Sequence, residues 1–160
     1  MPGAGDAAAT PGTEPGFRPR GVRDRELAHG RHVAVVDPGH PLAEEHDVDL
    51  RQLVDEVFVD FAAGSAARAQ SDEAFAAAGL RREVAFEVSG VELMARMVRH
   101  GLGIALLPAT FAAELHGLLS VPVTDGPVRV ERLIWSRITP SPAASAFLAL
   151  LGTDTSPPEA

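Results

Sequence analysis

The chain has 160 residues, 46% of them hydrophobic and 22% charged, and a length that suits one domain burying about 70% of its unfolded surface. A formal net charge of −8 argues against a nucleic-acid-binding face, which needs clustered cations. The absence of cysteine excludes disulfides, thiolate catalysis and cysteine-based zinc sites.

No apolar run approaches the roughly 18 residues that a membrane-spanning helix needs. The N-terminus has neither a basic n-region nor an apolar h-region, so a cytoplasmic location is expected. The first 26 residues, "MPGAGDAAATPGTEPGFRPRGVRDRE", are rich in proline and glycine and lack a hydrophobic period. They predict a disordered leader, bounded at residue 27, and "GTDTSPPEA" (152–160) predicts a disordered tail.

Between these ends the pattern becomes regular. "HVAVV" (32–36) predicts a buried strand stopped by the turn "DPGHP". "DLRQLV" (49–54) predicts a short helix, with Asp49 as N-cap and Gln52 three residues later. "VFVDF" (57–61) alternates like a strand. "GSAARAQSDEAFAAAG" (64–79) predicts a helix capped by Ser65 and ended by Gly79. "EVAFEV" (83–88) is again strand-like. "SGVELMARMVRH" (89–100) predicts a helix with a Ser89–Glu92 capping box, a Glu92–Arg96 pair and an apolar stripe of Val91, Met94, Met97 and Val98.

The Gly-x-Gly of "RHGLGIALLP" then follows a helix and precedes a strand, whereas a dinucleotide-binding loop needs the reverse order. Gly101 is therefore expected to end the helix in a left-handed conformation, with no role in holding a phosphate. "LLSVPV" (118–123) and "VRVERLIW" (128–135) predict two more strands. "SPAASAFLALLG" (141–152) predicts a helix capped by Ser141 with Pro142 at its first position. Ala144, Phe147, Leu148 and Leu151 are expected on one face of it. The strand–helix alternation over 57–107 implies an α/β fold with a mostly parallel sheet flanked by helices.

Taken in order, "VAVVDPGHPLA" (33–43), "DLRQLVDEVFVDFAAGSAAR" (49–68), "AFAAAGLRREVAFEV" (74–88), "MVRHGLGIALLPATF" (97–111) and "SPAASAFLALL" (141–151) resemble the effector-binding domain of LysR-type transcriptional regulators. The resemblance covers 28–151. It implies a periplasmic-binding-protein-like (type 2) lobe over 28–123 and a segment, 124–151, that returns to an incomplete first lobe. Nothing in 1–31 matches the family's helix-turn-helix. The chain thus resembles a truncated regulator that senses a small molecule without binding DNA itself. A full-length regulator or a second copy of the chain is the implied protein partner.

In open α/β sheets ligands bind beyond the carboxyl ends of strands, where helix N-termini present unpaired amides. Phe61, Gly64, Ser65, Ala66 and Arg68 fall at one such place and Ser89 and Gly90 at another, with Pro108 closing a third strand. These eight are the candidate ligand-binding residues, and the resemblance puts the effector cleft at the same loops. An anionic effector or an aromatic acid would suit amides and an arginine. Each residue also has a plainer reading: Ser65 and Ser89 as helix caps, Phe61 as core, Arg68 as a solvated helix residue. The histidines His29, His32, His40 and His100 lack metal-ligand spacing, and no metal or cofactor is expected. No nucleophile elbow or zinc-hydrolase motif is present, so catalysis is not expected. An interaction fragment that associates with full-length regulators, or a lobe of a solute-binding protein, is the alternative reading.

Overall fold

The computed structural model describes residues 7–12, 22–136 and 141–152. In chain order these form β1 (Ala7–Gly12), β2 (Val22–Val36), a 3-10 turn (Pro41–Glu44), β3 (Val57–Phe61), α1 (Ala66–Ala77), β4 (Glu83–Val88) and α2 (Val91–Arg99). They continue with β5 (Ala105–Pro108), α3 (Ala109–Ala112), β6 (Leu119–Pro122), β7 (Val128–Ser136) and α4 (Pro142–Leu150). The chain divides into two units, His29–Arg129 and Met1–Ala28 with Val130–Ala160.

In the larger unit the end of β2 lies between β5 and β6 and runs antiparallel to both, with His32 opposite Pro108 and Val36 opposite Leu119. β3 and β4 pair in parallel, with a bulge between Phe58 and Val59. A parallel bridge between Phe58 and Ile104 joins β3 to β5 through Ile104 N–H to Val57 O (2.8 Å) and Val59 N–H to Ile104 O (2.9 Å). The α/β character and helical crossovers match the sequence pattern, but the pairing is mixed. β3, β4 and β5 run parallel because α1 and α2 carry the chain back between them. β2 reaches β3 through turns, with no crossover helix, and runs the other way.

The unbroken apolar run at 33–36 follows from burial on both sheet faces. Ala34 and Val36 pack with Leu50, Leu53, Phe58, Phe75, Ile104 and Val121, whereas Val33 and Val35 pack with Val59, Met94, Val98, Ala105 and Leu107. Phe58 and Phe75 meet edge to face, with centroids 5.7 Å apart.

Both crossover helices end in the same hydrogen-bonded way. Gly79, at φ +70°, donates to Ala76 O while Leu80 N–H reaches Phe75 O (2.8 Å). Gly101, at φ +68°, donates to Val98 O while Leu102 N–H reaches Met97 O. This is the paired motif in which a glycine takes the left-handed position and the next amide satisfies a carbonyl five residues back. Gly103 has a different reason to be glycine: at φ +154°, an added Cβ would stand 2.5 Å from Val57 O. The glycine pair therefore turns the chain at Gly101 and admits a neighbouring backbone at Gly103.

Several local expectations are corrected. Over 49–54 the reciprocal Asp49–Gln52 bonds form, both at 2.9 Å, but the segment winds as successive turns without becoming an α-helix. Helix α2 is capped by Gly90, with no side-chain bond, so the Ser89–Glu92 box does not form. Gly90 is fully extended (φ −158°), which starts the helix one residue late and leaves the Ser89 hydroxyl outside reach of the first turn. Glu92 and Arg96 form no ion pair.

In the smaller unit β1 pairs antiparallel with β7, Ala7 opposite Trp135 and Gly12 opposite Val130. Leu133 and Trp135 pack against Leu148, with Leu151 at the edge. Phe147, expected on that face, is 48% exposed, because the buried stripe of α4 runs through Ala144 and Leu148. Arg132 pairs with Asp24 and Glu26. The leader expected to be disordered over 1–27 therefore contains β1 and residues 22–27 of β2. Their strand state comes from pairing partners and an ion pair, neither of which produces an apolar period. The rest of that leader, 1–6 and 13–21, and the tail from 153 lie outside the described residues.

Candidate functional site

The carboxyl ends of β3 and β5 and the first turns of α1 and α2 surround a cavity of about 110 Å3. Phe61 ends β3, Pro108 ends β5, and Phe111 follows on α3. Ala67 and Val91 supply the starts of the two crossover helices, Leu106 and Leu107 the β5 wall, and His32 and Arg129 the remainder. The walls are mainly apolar, and the Arg129 guanidinium lies over the Phe111 ring at 5.4 Å from its centroid. That volume is of the order of an apolar cavity that takes up one benzene ring, about 150 Å3.

Of the eight predicted residues, Phe61 and Pro108 line this cavity. Ser65 lies beside it as the cap of α1, its Oγ accepting the Arg68 N–H at 3.3 Å. Gly64 turns the preceding loop at φ +83°, and Ala66 is exposed. Ser89 is exposed, and Gly90 contributes backbone as the α2 cap. Arg68 does not line the cavity. Its guanidinium donates to Asp72 (3.0 Å), Glu87 (3.1 Å) and the Phe61 carbonyl (3.2 Å). Asp72 on α1, Glu87 on β4 and the carbonyl that ends β3 converge on the arginine and take it.

Those contacts belong to a network behind the Phe61 wall. Asp60 is almost fully buried, and its Oδ1 accepts the Phe61 N–H at 2.6 Å. Its Oδ2 accepts from Arg82 Nη2, also at 2.6 Å. Burial lifts the Asp60 carboxyl above the usual carboxylate range, with Arg82 opposing it. For Asp72 burial works in the same direction, but hydrogen bonds from Arg82 and Arg68 outweigh it and hold its carboxyl below that range. Arg82 Nε and Nη1 take no hydrogen bond among the described residues. The guanidinium carbon instead lies 4.9 Å from the Phe58 ring centroid and 5.4 Å from that of Phe75. Both polar backbone groups of Phe61 are thus held by charged side chains.

His32 is the main residue that sequence reasoning missed. It was considered only as a metal ligand, yet among the described residues no three His, Asp or Glu side chains come together to hold a metal. Its Nδ1 lies 3.0 Å from the Pro127 carbonyl, which also accepts the His32 backbone N–H at 2.9 Å. Burial, with Arg129 nearby, lowers its pKa from 6.5 to about 4 against the pull of that carbonyl. One signal was available: a polar residue opening an otherwise apolar buried strand. Arg129 and Phe111 had none, since their meeting depends on the return from β6 to β7.

A mixed α/β unit with a cavity where strands end and crossover helices begin has the form of a type 2 periplasmic-binding-protein-like effector-binding domain. Solved domains of that kind superimpose on the chain. The regulatory domain of Synechocystis CcmR in complex with 2-PG gives a TM-score of 0.77 at 20% identity, over 91% of this chain and 71% of that one. The effector-binding domain of QuiR with shikimate gives 0.73 at 22%, over 90% and 68%. That of BenM with benzoate gives 0.68 at 23%, over 95% and 73%.

Residues 4–155 match the LysR substrate binding domain model, and the chain belongs to that family. The match begins well before residue 28, where the sequence resemblance starts. The HTH-type transcriptional activator CmpR of Synechocystis is 31% identical over 109 residues, 68% of this chain and 34% of its own length. The RuBisCO operon transcriptional regulator of Allochromatium vinosum is 32% identical over 120 residues, 72% and 40%. The chain thus spans between a third and two fifths of these curated relatives. They are transcriptional regulators, and this chain is an effector-binding domain of the LysR type. No helix among the described residues is long and apolar enough to cross a membrane.

Proposed function

We propose that the chain binds a small anionic or aromatic acid in the cavity beneath Phe61, Pro108 and Phe111, and so biases a cytoplasmic transcription regulator. The observation that carries this reading is a ring-sized apolar cavity holding one cation, Arg129, against an aromatic face. Such a ligand acts only through its different affinity for two conformations, so the complex must prefer one of them. The chain works by sensing; DNA contact and catalysis are no part of its role, in keeping with its net charge of −8. Shikimate, 2-PG and benzoate are the first ligands to test, because related domains are seen with them.

Calorimetric titration of residues 1–160 with each acid tests the reading directly. Saturable binding that weakens about tenfold in Phe111→Ala is the expected result. Binding unaffected by Phe111→Ala and by Arg129→Gln would place the ligand elsewhere.

A second, compatible reading concerns partners. Phe147 and Leu150 on α4 are 48% and 85% exposed, an apolar surface suited to a second copy or a full-length regulator. Sedimentation should then show self-association that Leu150→Glu abolishes; a monomer at all concentrations, alone and mixed with a full-length regulator, removes this reading.

A further inference from the structure

His32 gives the cavity a chemical preference. Both its backbone N–H and its Nδ1 point at the Pro127 carbonyl oxygen, at 2.9 and 3.0 Å. A carbonyl oxygen only accepts, so Nδ1 must carry the ring proton. In a neutral imidazole that leaves Nε2 with a lone pair. Nε2 takes no partner among the described residues, although His32 is only 3% exposed. The other side chains of the wall are hydrocarbon, apart from the Arg129 guanidinium, which can only donate. The ring stays neutral at physiological pH, because burial and the Arg129 charge oppose a second proton. His32 Nε2 is therefore the one side-chain acceptor in the wall of the cavity, with Nδ1 already committed to Pro127.

We infer that His32 is a specificity-determining residue: its Nε2 accepts a hydrogen bond from a hydroxyl or N–H of the effector, which is accordingly a hydroxylated or amino-bearing ring acid. The carboxylate of such a ligand meets Arg129, its ring lies between Phe61 and Phe111, and its donor reaches Nε2. A ring acid without a donor fills the same space but leaves Nε2 unpaired. This inference rests on the proposed effector site, and it fails separately from that proposal.

The test is titration of residues 1–160, at neutral pH, with matched pairs: benzoate against 3- and 4-hydroxybenzoate, and cyclohexene-1-carboxylate against shikimate. At least one hydroxylated member should bind about tenfold more tightly than its parent acid. His32→Leu, close in volume and without an acceptor, should erase that difference between the members of each pair. The wild-type chain gives an independent readout if the variant folds poorly. The 15N resonance of His32 Nε2 should begin at the position of an unprotonated ring nitrogen and shift on adding the hydroxylated ligand, but not the parent acid. Parent acids binding as tightly as their hydroxylated partners, a preference that survives His32→Leu, or a resonance showing the proton on Nε2 would each overturn the inference and leave the effector site standing. No binding by any of these probes would overturn both.

Discussion

Replacing Arg82 with methionine isolates the buried carboxylate that holds the Phe61 wall. The Arg82 and Asp60 side chains are each 3% exposed and meet at 2.6 Å, while the next cation, Arg68 Nε, is 3.9 Å from Asp60. Methionine keeps an apolar stem near Phe58 and Phe75 but removes the charge. Breaking a buried pair costs about 3–5 kcal/mol, because the surviving ion is left poorly solvated. Arg68 recovers part of that, so a loss of about 3 kcal/mol is expected near pH 7.5. That is a large fraction of the roughly 5–15 kcal/mol that holds a domain folded.

The pH dependence has a definite sign. Burial already lifts Asp60 above the usual carboxylate range, and removing Arg82 takes away the strongest opposing influence. A carboxyl that binds its proton more tightly when folded costs stability as pH rises, and a protonated Asp60 needs no cation. The Arg82→Met loss should therefore shrink towards about pH 5. Adding Asp60→Asn should restore about 2 kcal/mol, since replacing both partners removes the stranded charge. Urea unfolding followed by circular dichroism measures each quantity. A single variant within about 1 kcal/mol of wild type near pH 7.5, or an equal loss at both pH values, would refute the reasoning.

The two neighbouring glycines should respond differently to alanine. Gly101→Ala, in open space at φ +68°, should cost about 1 kcal/mol in urea unfolding. Gly103→Ala, with its Cβ driven against Val57 O, should cost about 3 kcal/mol by straining the joint between β3 and β5. Ser65→Ala removes a cap and should lower the melting free energy by about 1 kcal/mol, whereas Ser89→Ala should stay within about 0.5 kcal/mol. His32, depressed from 6.5 to about 4, holds fewer protons folded than unfolded in that window. Stability should therefore fall by about 3 kcal/mol as pH drops from 6.5 towards 4, and His32→Leu should flatten that part of the profile.

The stretch from Val57 to Leu107 was legible because its signals are local. Alternating "VFVDF", the Ser65 cap, the glycines after α1 and α2 and the apolar stripe of α2 each act within a few residues. The structure carries them with small shifts of boundary. What escaped depends on chain brought from afar. "AAATPG" has no strand pattern of its own and is a strand because β7 lies beside it. Arg68 looked available because Glu87, nineteen residues on, is invisible to a reading of its own helix. The cavity was half legible for the same reason: Phe61 and Pro108 end recognisable strands, whereas Arg129 and Phe111 meet only after β6 has been crossed. Ser89 misled because Ser and Glu three apart satisfy the box pattern whether or not the backbone at Gly90 brings them together.

The bridge from Phe58 to Ile104 acts as a ruler for the binding cavity. Phe61 and Pro108 are each carried a few residues beyond that common mark on strands pointing the same way. Adding or deleting one residue between mark and wall would move one jaw by about 3.3 Å and turn its side chain to the opposite face. Length changes in this lineage should therefore accumulate in exposed stretches such as 44–47 and 116–117, and stay out of 58–61 and 104–108, whatever acid each relative has come to sense.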